Sequence, residues 1–308
     1  MLETPRFHHL HLNSVDPDAA IEFYVRQFSS TSRTTWGGFP ALASPNDVLI
    51  LFTQVASQPP IAPDTAIWHF GWHVPDSRAA MQMYRERTGL QLLPLYTGEQ
   101  DGAVFISSDT WPGAGGVLGR THAQIAEARA TGVQPTRNSG FAYMQGPDCA
   151  IVEYAGNHPA ERFNHVHMWQ DEPLCAQRWY QQHLNASLLP GAVVGDRDCK
   201  VARGTDRSFP ALEPDGMFRT PSGGVAFGDV WLPWYMRQGE VPLAPTRGHL
   251  YDHFALSVSD LDAWTDNLKS AGVTFLEGEY ALGETRAVMI SGPSQEAIEL
   301  VEAGLTPC

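Results

Sequence analysis

One spacing occurs four times in this chain and constrains its fold more than any other feature. His9 has Asp16 seven residues on and Tyr24 fifteen on, and His69 has Asp76 and Tyr84 in the same places. His165 has Glu172 and Tyr180, and His253 has Asp260 with Leu268 in the apolar slot that Tyr fills elsewhere. Only 12 of the 308 residues are His. Filling one named slot four times by chance has a probability on the order of 10⁻⁵ to 10⁻⁶, counted as matches to a template. The chain is therefore a tandem repeat.

Each copy reads as an alternating strand, an acid at a helix N-cap, and a helix with apolar residues at three and four spacing. In the first copy that face is Ala20, Phe23, Tyr24 and Phe28. Short β-rich segments follow each helix, such as "LQLLPLYTG" and "GAVFISSD" in the second copy and "GVTFLEGEY" and "TRAVMISGP" in the fourth. The unit is βαβββ, and the fold class is α+β with four such modules. Pro-rich links at residues 56–65 and 239–248 and the segment 155–162 place the modules at 5–55, 66–156, 162–238 and 249–304. The simplest division is an N-terminal domain, 1–157, and a C-terminal domain, 158–308. Residues 108–139 and 190–222 interrupt the pattern, and long insertions in compact domains are more often functional than idle.

The second and fourth modules end alike. "GPDCAIVEYAG" puts Glu153 seven residues after Gly146, and "GPSQEAIELVEAG" puts Glu299 seven after Gly292. A lone Glu in such an apolar strand is costly to bury unless paired or bound to a cation. If consecutive modules pack with their first strands lining one concave surface, His9, His69 and Glu153 form one donor set and His165, His253 and Glu299 the other. Two His and one carboxylate with open positions suit non-haem Fe(II) or a related divalent ion.

On an unbroken strand His9 and His11 share a face, while His8 points away and is incidental. His11 and His167 stand two residues past the ligand slots and are candidate acid–base groups or alternative ligands. His73, four residues after His69, shares its face and is a pocket candidate, and Trp68, Trp72 and Trp111 could wall a flat substrate.

Composition limits the partners. Twenty Lys and Arg against 34 Asp and Glu give a net charge of −14, which repels nucleic acid and anionic lipid and favours a small-molecule partner. No 18-residue apolar run and no signal-peptide pattern is present, so a soluble cytoplasmic protein is expected. Cys149, Cys175, Cys199 and Cys308 show no paired spacing, so no disulfide or thiolate zinc site is indicated. "GAGGVLG" has Leu118 where GxGxxG needs its third Gly, and no GxSxG occurs.

The arrangement resembles the vicinal oxygen chelate superfamily of βαβββ proteins, which includes glyoxalase I, extradiol ring-cleaving dioxygenases and fosfomycin-resistance enzymes. The resemblance covers nearly the whole chain. It rests on HxxxxxxD starts at His9, His69 and His253, HxxxxxxE at His165, and GPxxxxxE ends at Glu153 and Glu299. It implies that these six residues ligate a divalent metal, Fe(II) first, with Mn(II) or Zn(II) as alternatives. It also implies an enzyme, most closely an extradiol-type dioxygenase acting on a small aromatic or enolic substrate with adjacent oxygens.

Tyr143, ten residues before Glu153, matches the family's tyrosine near the final ligand, whereas Met289 fills that slot before Glu299. Together with the 108–139 insertion, this favours the first domain as the reactive one. The family's catalytic His, seven to nine residues before that tyrosine, is replaced by Gln134, Pro135 and Thr136. Two other readings stay open. One is a glyoxalase-like isomerase, lyase or hydrolase without O₂ chemistry, weakened because "DVLILFTQ" has no Glu where that chemistry needs one. The other is a drug-sequestering binding protein. Whether modules pair within one chain or across a homo-oligomer is left open.

Overall fold

The computed structural model describes residues 2–93, 95–96, 103–104, 130–132, 141–156, 158–191, 198–208, 212 and 216–303. The first module runs β1 (Arg6–Ser14), α1 (Pro17–Gln27), β2 (Ser32–Trp36), β3 (Phe39–Ala43) and β4 (Leu49–Gln54). The second has β5 (Ile67–His73), α2 (Ser77–Glu86), β6 (Gln91–Leu92), β7 (Leu95–Tyr96), β8 (Ala103–Val104), β9 (Phe141–Gln145) and β10 (Ile151–Ala155). The third has β11 (Arg162–Gln170), α3 (Pro173–Leu184), β12 (Ser187–Leu188), β13 (Arg207–Ser208), β14 (Met217–Phe218), β15 (Ser222–Phe227) and β16 (Val230–Met236). The fourth is β17 (Tyr251–Val258), α4 (Leu261–Ser270), β18 (Phe275–Leu282), β19 (Thr285–Ser291) and β20 (Ala297–Glu302).

The acids of the repeat start the helices. Asp16, Asp76 and Asp260 accept from the backbone N–H of Ala19, Ala79 and Ala263 at 3.0, 3.1 and 2.9 Å, each satisfying a donor that the first helical turn leaves free. Glu172 occupies the fourth cap position without a side-chain bond, and Pro173 opens that helix as Pro17 opens α1.

Two eight-stranded sheets result. One runs β18-β19-β20-β17-β1-β4-β3-β2 and the other β12-β15-β16-β11-β5-β10-β9-β6. β1 lies antiparallel to β17, and β5 antiparallel to β11. The outermost modules of the chain thus build one sheet and the middle two build the other, so the sheets do not follow the expected halves 1–157 and 158–308. Periodicity specifies each module's interior. It carries nothing about which first strand pairs with which, because all four first strands share one pattern.

One large apolar cluster joins the sheets. Phe7 stacks on Phe163 and Phe254 at 5.7 and 5.9 Å, and Phe70 meets Phe163 and Tyr251 at 6.2 and 5.9 Å. Trp72 stacks on Phe28 at 4.1 Å and is 1% exposed. The expected substrate wall at Trp72 is therefore core, where burying a ring this size contributes roughly 1.5–3 kcal/mol.

A disulfide joins Cys175 to Cys199, Cα atoms 4.9 Å apart. This corrects the expectation of unpaired thiols, since a sequence separation of 24 hid a pairing that only the tertiary fold creates. Cys149 is free and exposed, and Cys308 lies outside the described residues. No helix among the described residues is long and apolar enough to cross a membrane.

Candidate metal centres

Both central strand pairs are interrupted by β-bulges in matching places. Along β1 and β17, Phe7 faces Leu256 and His9 faces Ala255, then His11 faces His253 and Leu12 faces Tyr251, which bulges out His8 and Asp252. Along β11 and β5, Phe163 faces Trp72 and His165 faces Gly71, then His167 faces His69 and Met168 faces Ile67, bulging out Asn164 and Trp68. The four bulged residues each precede one of the four repeat histidines. A bulge re-aims its side chain, and three of these four now bond the histidine that follows.

In the first sheet, His9 Nε2 lies 3.3 Å from Glu299 Oε2, and His253 Nε2 lies 3.9 Å from Glu299 Oε1. Asp252 Oδ1 accepts from His253 Nδ1 at 2.6 Å, and His9 Nδ1 lies 2.8 Å from His8 Nδ1. Both imidazoles thus spend Nδ1 on a neighbour and present Nε2 inward, the second partner that metal-bound histidines commonly have. His9 Nε2, His253 Nε2 and Glu299 Oε2 are buried with no hydrogen-bond partner. Buried polar atoms left this way are costly, and a cation among them removes the cost.

Tyr280 donates its hydroxyl to Glu299. His11 Nε2 lies 2.7 Å from Thr53 Oγ1. The set opens on a cavity of about 600 Å³ whose lining includes Phe39, Arg247, Glu277 and Met289.

In the second sheet, His69 Nε2 lies 3.0 Å from Glu153 Oε2, His165 Nε2 lies 3.7 Å from the same oxygen, and the two ring nitrogens are 3.3 Å apart. Donors each about 2.0–2.2 Å from one ion lie roughly 3–3.5 Å apart, close to these separations. His165 Nδ1 donates to Asn164 Oδ1 at 2.8 Å. Tyr143 rests against the His69 ring, centroids 5.1 Å apart, and lies opposite Glu153 on the neighbouring strand.

Charge state follows burial. Burial lowers His9, His11 and His167 well below the usual histidine range and His69 to about 4, which keeps the rings neutral, as metal ligation requires. Burial alone would raise Glu153, but His165 and His69 beside it hold its carboxyl well below the carboxylate range. At Glu299 burial prevails and the shift is upward. Burial would likewise raise Asp252, yet His253, the Gly248 amide and Arg247 hold it at about 2.

The six expected ligands therefore meet, but in different company. His69 and Glu153 are joined by His165, and His9 and Glu299 by His253; the expected sets His9–His69–Glu153 and His165–His253–Glu299 do not assemble, because modules pair first with fourth and second with third. His8, expected to face away, bonds His9 through its bulge. His73 stacks on His158 at 5.1 Å, at the far end of β5 from His69. Trp68 packs on His69, His167 and Trp169 at 4.2, 5.0 and 4.4 Å and lines a separate cavity of about 310 Å³. Trp111 and the 108–139 insertion, apart from 130–132, lie outside the described residues.

Sequence reasoning missed Asp252, Asn164, Thr53 and Tyr280. The first two had a signal: a polar residue directly precedes three of the four repeat histidines.

The sequence profile of the Glyoxalase/Bleomycin resistance protein/Dioxygenase superfamily matches residues 66–300. The chain belongs to this superfamily. No curated protein matches it by sequence. Among solved structures it is similar to glyoxalase I from Zea mays, at 13% identity and a TM-score of 0.60, covering 97% of this chain and 92% of that one. It is also similar to a Bacillus subtilis protein titled "putative dioxygenase", at 11% identity and a TM-score of 0.58, covering 99% of this chain and 87% of that one. At such identity the likeness establishes the superfamily fold and nothing finer.

Two results follow from the geometry. His8→Ala removes the partner of His9 Nδ1 and should weaken cation binding at the first centre by about 10- to 100-fold, read by competition with a chromophoric chelator. A Cβ on Gly71 would lie 2.5 Å from His165 Cε1 and 3.1 Å from Glu153 Cβ. Gly71→Ala should therefore displace His165, empty the second centre while sparing the first, and cost about 1–3 kcal/mol in thermal unfolding.

Proposed function

We propose that the chain is a divalent-metal-dependent enzyme acting on a small aromatic or enolic substrate with adjacent oxygens, and that the reaction is O₂-dependent cleavage at the His9–His253–Glu299 centre. The observation that carries this reading is the convergence of three buried, partnerless donor atoms on the wall of the 600 Å³ cavity. A two-His, one-carboxylate set with open positions suits Fe(II), which when bound supplies Lewis acidity and redox capacity toward O₂.

The remaining residues define what the protein itself contributes. His11, neutral and held by Thr53, faces the cavity and is placed to take a proton from a substrate hydroxyl and return it. Arg247, paired with Asp252 and Glu277 at 3.1 and 2.8 Å, brings a cation to the same cavity for an oxyanion of the substrate. Tyr280 fixes the Glu299 carboxylate with its hydroxyl. The presence of Tyr143 alone favours the second centre, but Tyr280 supplies a phenol to the first from a neighbouring strand.

The test is oxygen uptake by anaerobically purified, Fe(II)-loaded protein across a panel of catechols. O₂ consumption matched by ring-cleaved product is expected. Turnover that persists without O₂, or with Zn(II) or Ni(II), would replace the proposal with an isomerase, lyase or hydrolase. Tight small-molecule binding by metal-free protein without turnover would replace it with sequestration.

A further inference from the structure

The two centres are built on the same register, yet they differ at one position. His11 stands opposite His253 in the first sheet, and His167 stands opposite His69 in the second. Two residues further along, Asn13 pairs with Thr53 on β4, and Trp169 pairs with Tyr235 on β16. Thr53 and Tyr235 are therefore counterparts. Thr53 reaches His11 Nε2 with its hydroxyl at 2.7 Å. Tyr235 lays its ring against His167 instead, centroids 4.7 Å apart, and Trp68 closes another side at 5.0 Å.

His167 Nε2 is consequently buried without a hydrogen-bond partner. Its donor atom lies within 4.8 Å of those of His69, Glu153 and His165, all four mutually. In the first sheet the group that converges this closely is His9, His11 and His253, without Glu299.

We infer that the second centre is a closed, four-donor cation site, His69–Glu153–His165–His167, while the first stays open because the Thr53 hydroxyl already engages His11 Nε2. Three imidazoles and one carboxylate make a donor set suited to tetrahedral Zn(II) with no position left for substrate. Such an ion ties β5 and β10 of the second module to β11 of the third and acts as a structural cross-link. This inference rests on the reading of both clusters as cation sites and adds that they are unequal.

The test uses the full chain loaded with Zn(II) and then challenged with excess chelator, following metal release over time. Two phases are expected: one ion released fast from the open centre and one held at least about tenfold longer. His167→Ala should convert the slow phase to a fast one, whereas His11→Ala should leave the slow phase in place. Tyr235→Thr, which puts a Thr where the first sheet has Thr53, should also speed the slow phase while keeping every donor. If His167→Ala does not fold, the two phases of the unaltered chain and the Tyr235→Thr result decide. A single release rate for both ions, or equal effects of His167→Ala and His11→Ala, would overturn the inequality while leaving cation binding intact. Wild-type protein that takes up no metal would overturn both readings.

Discussion

Residues 1–157, produced without the rest of the chain, should fail to fold as a monomer, although they contain two complete repeat modules. β1 would lose β17 and β5 would lose β11, the antiparallel pairings at the centre of each sheet. Phe7 would lose both its stacking partners, Phe163 and Phe254, and Phe70 would lose Phe163 and Tyr251. Each buried ring of this kind contributes roughly 1.5–3 kcal/mol, and a domain's net stability is only about 5–15 kcal/mol. Uncovering Phe7 and Phe70 together removes about 3–6 kcal/mol, much of that margin. Circular dichroism of the fragment should show no cooperative thermal transition, and mixing it with residues 158–308 should restore one. A monomeric 1–157 with a sharp melt would contradict the first-with-fourth, second-with-third assembly.

The same assembly explains what the sequence made legible. Spacing alone gave the four modules, their helix caps at Asp16, Asp76 and Asp260, and the six His and Glu residues that the fold gathers into two clusters, because these are local: an acid at plus seven caps a helix, and a His fixed relative to it lands on the same strand position each time. Pairing is not local. All four first strands have the same alternation, so nothing in His9 distinguishes His69 from His253 as its neighbour.

The bulges were hidden for a related reason. Strand faces were read by twos, and a single extra residue at His8 or Asp252 breaks that parity. It turns a side chain read as outward into the partner of the ligand beside it. Thr53 and Tyr280 come from strands that carry no part of the repeat motif and reach their histidine and carboxylate only through sheet order.

Pairwise substitution separates the two assemblies with the largest change in metal content. Elemental analysis of the loaded chain should give about two ions, and His9→Ala and His253→Ala should each reduce this to about one. Because His9 and His253 serve the same ion, the double variant should also hold about one ion, a non-additivity expected only of groups that share a partner. His9→Ala combined with His69→Ala should hold none, since the two belong to different sheets. Had consecutive modules paired, the outcomes would be exchanged: the His9 and His69 double would keep one ion and the His9 and His253 double would keep none. Catalysis gives an independent reading of which centre is reactive. Loss of the ion removes several kcal/mol of charge stabilisation, roughly 10³-fold or more in rate, so His9→Ala and His253→Ala should each abolish O₂ uptake to that degree. A rate that survives in both would move the chemistry to the Glu153 centre and overturn the closed character inferred there from His167.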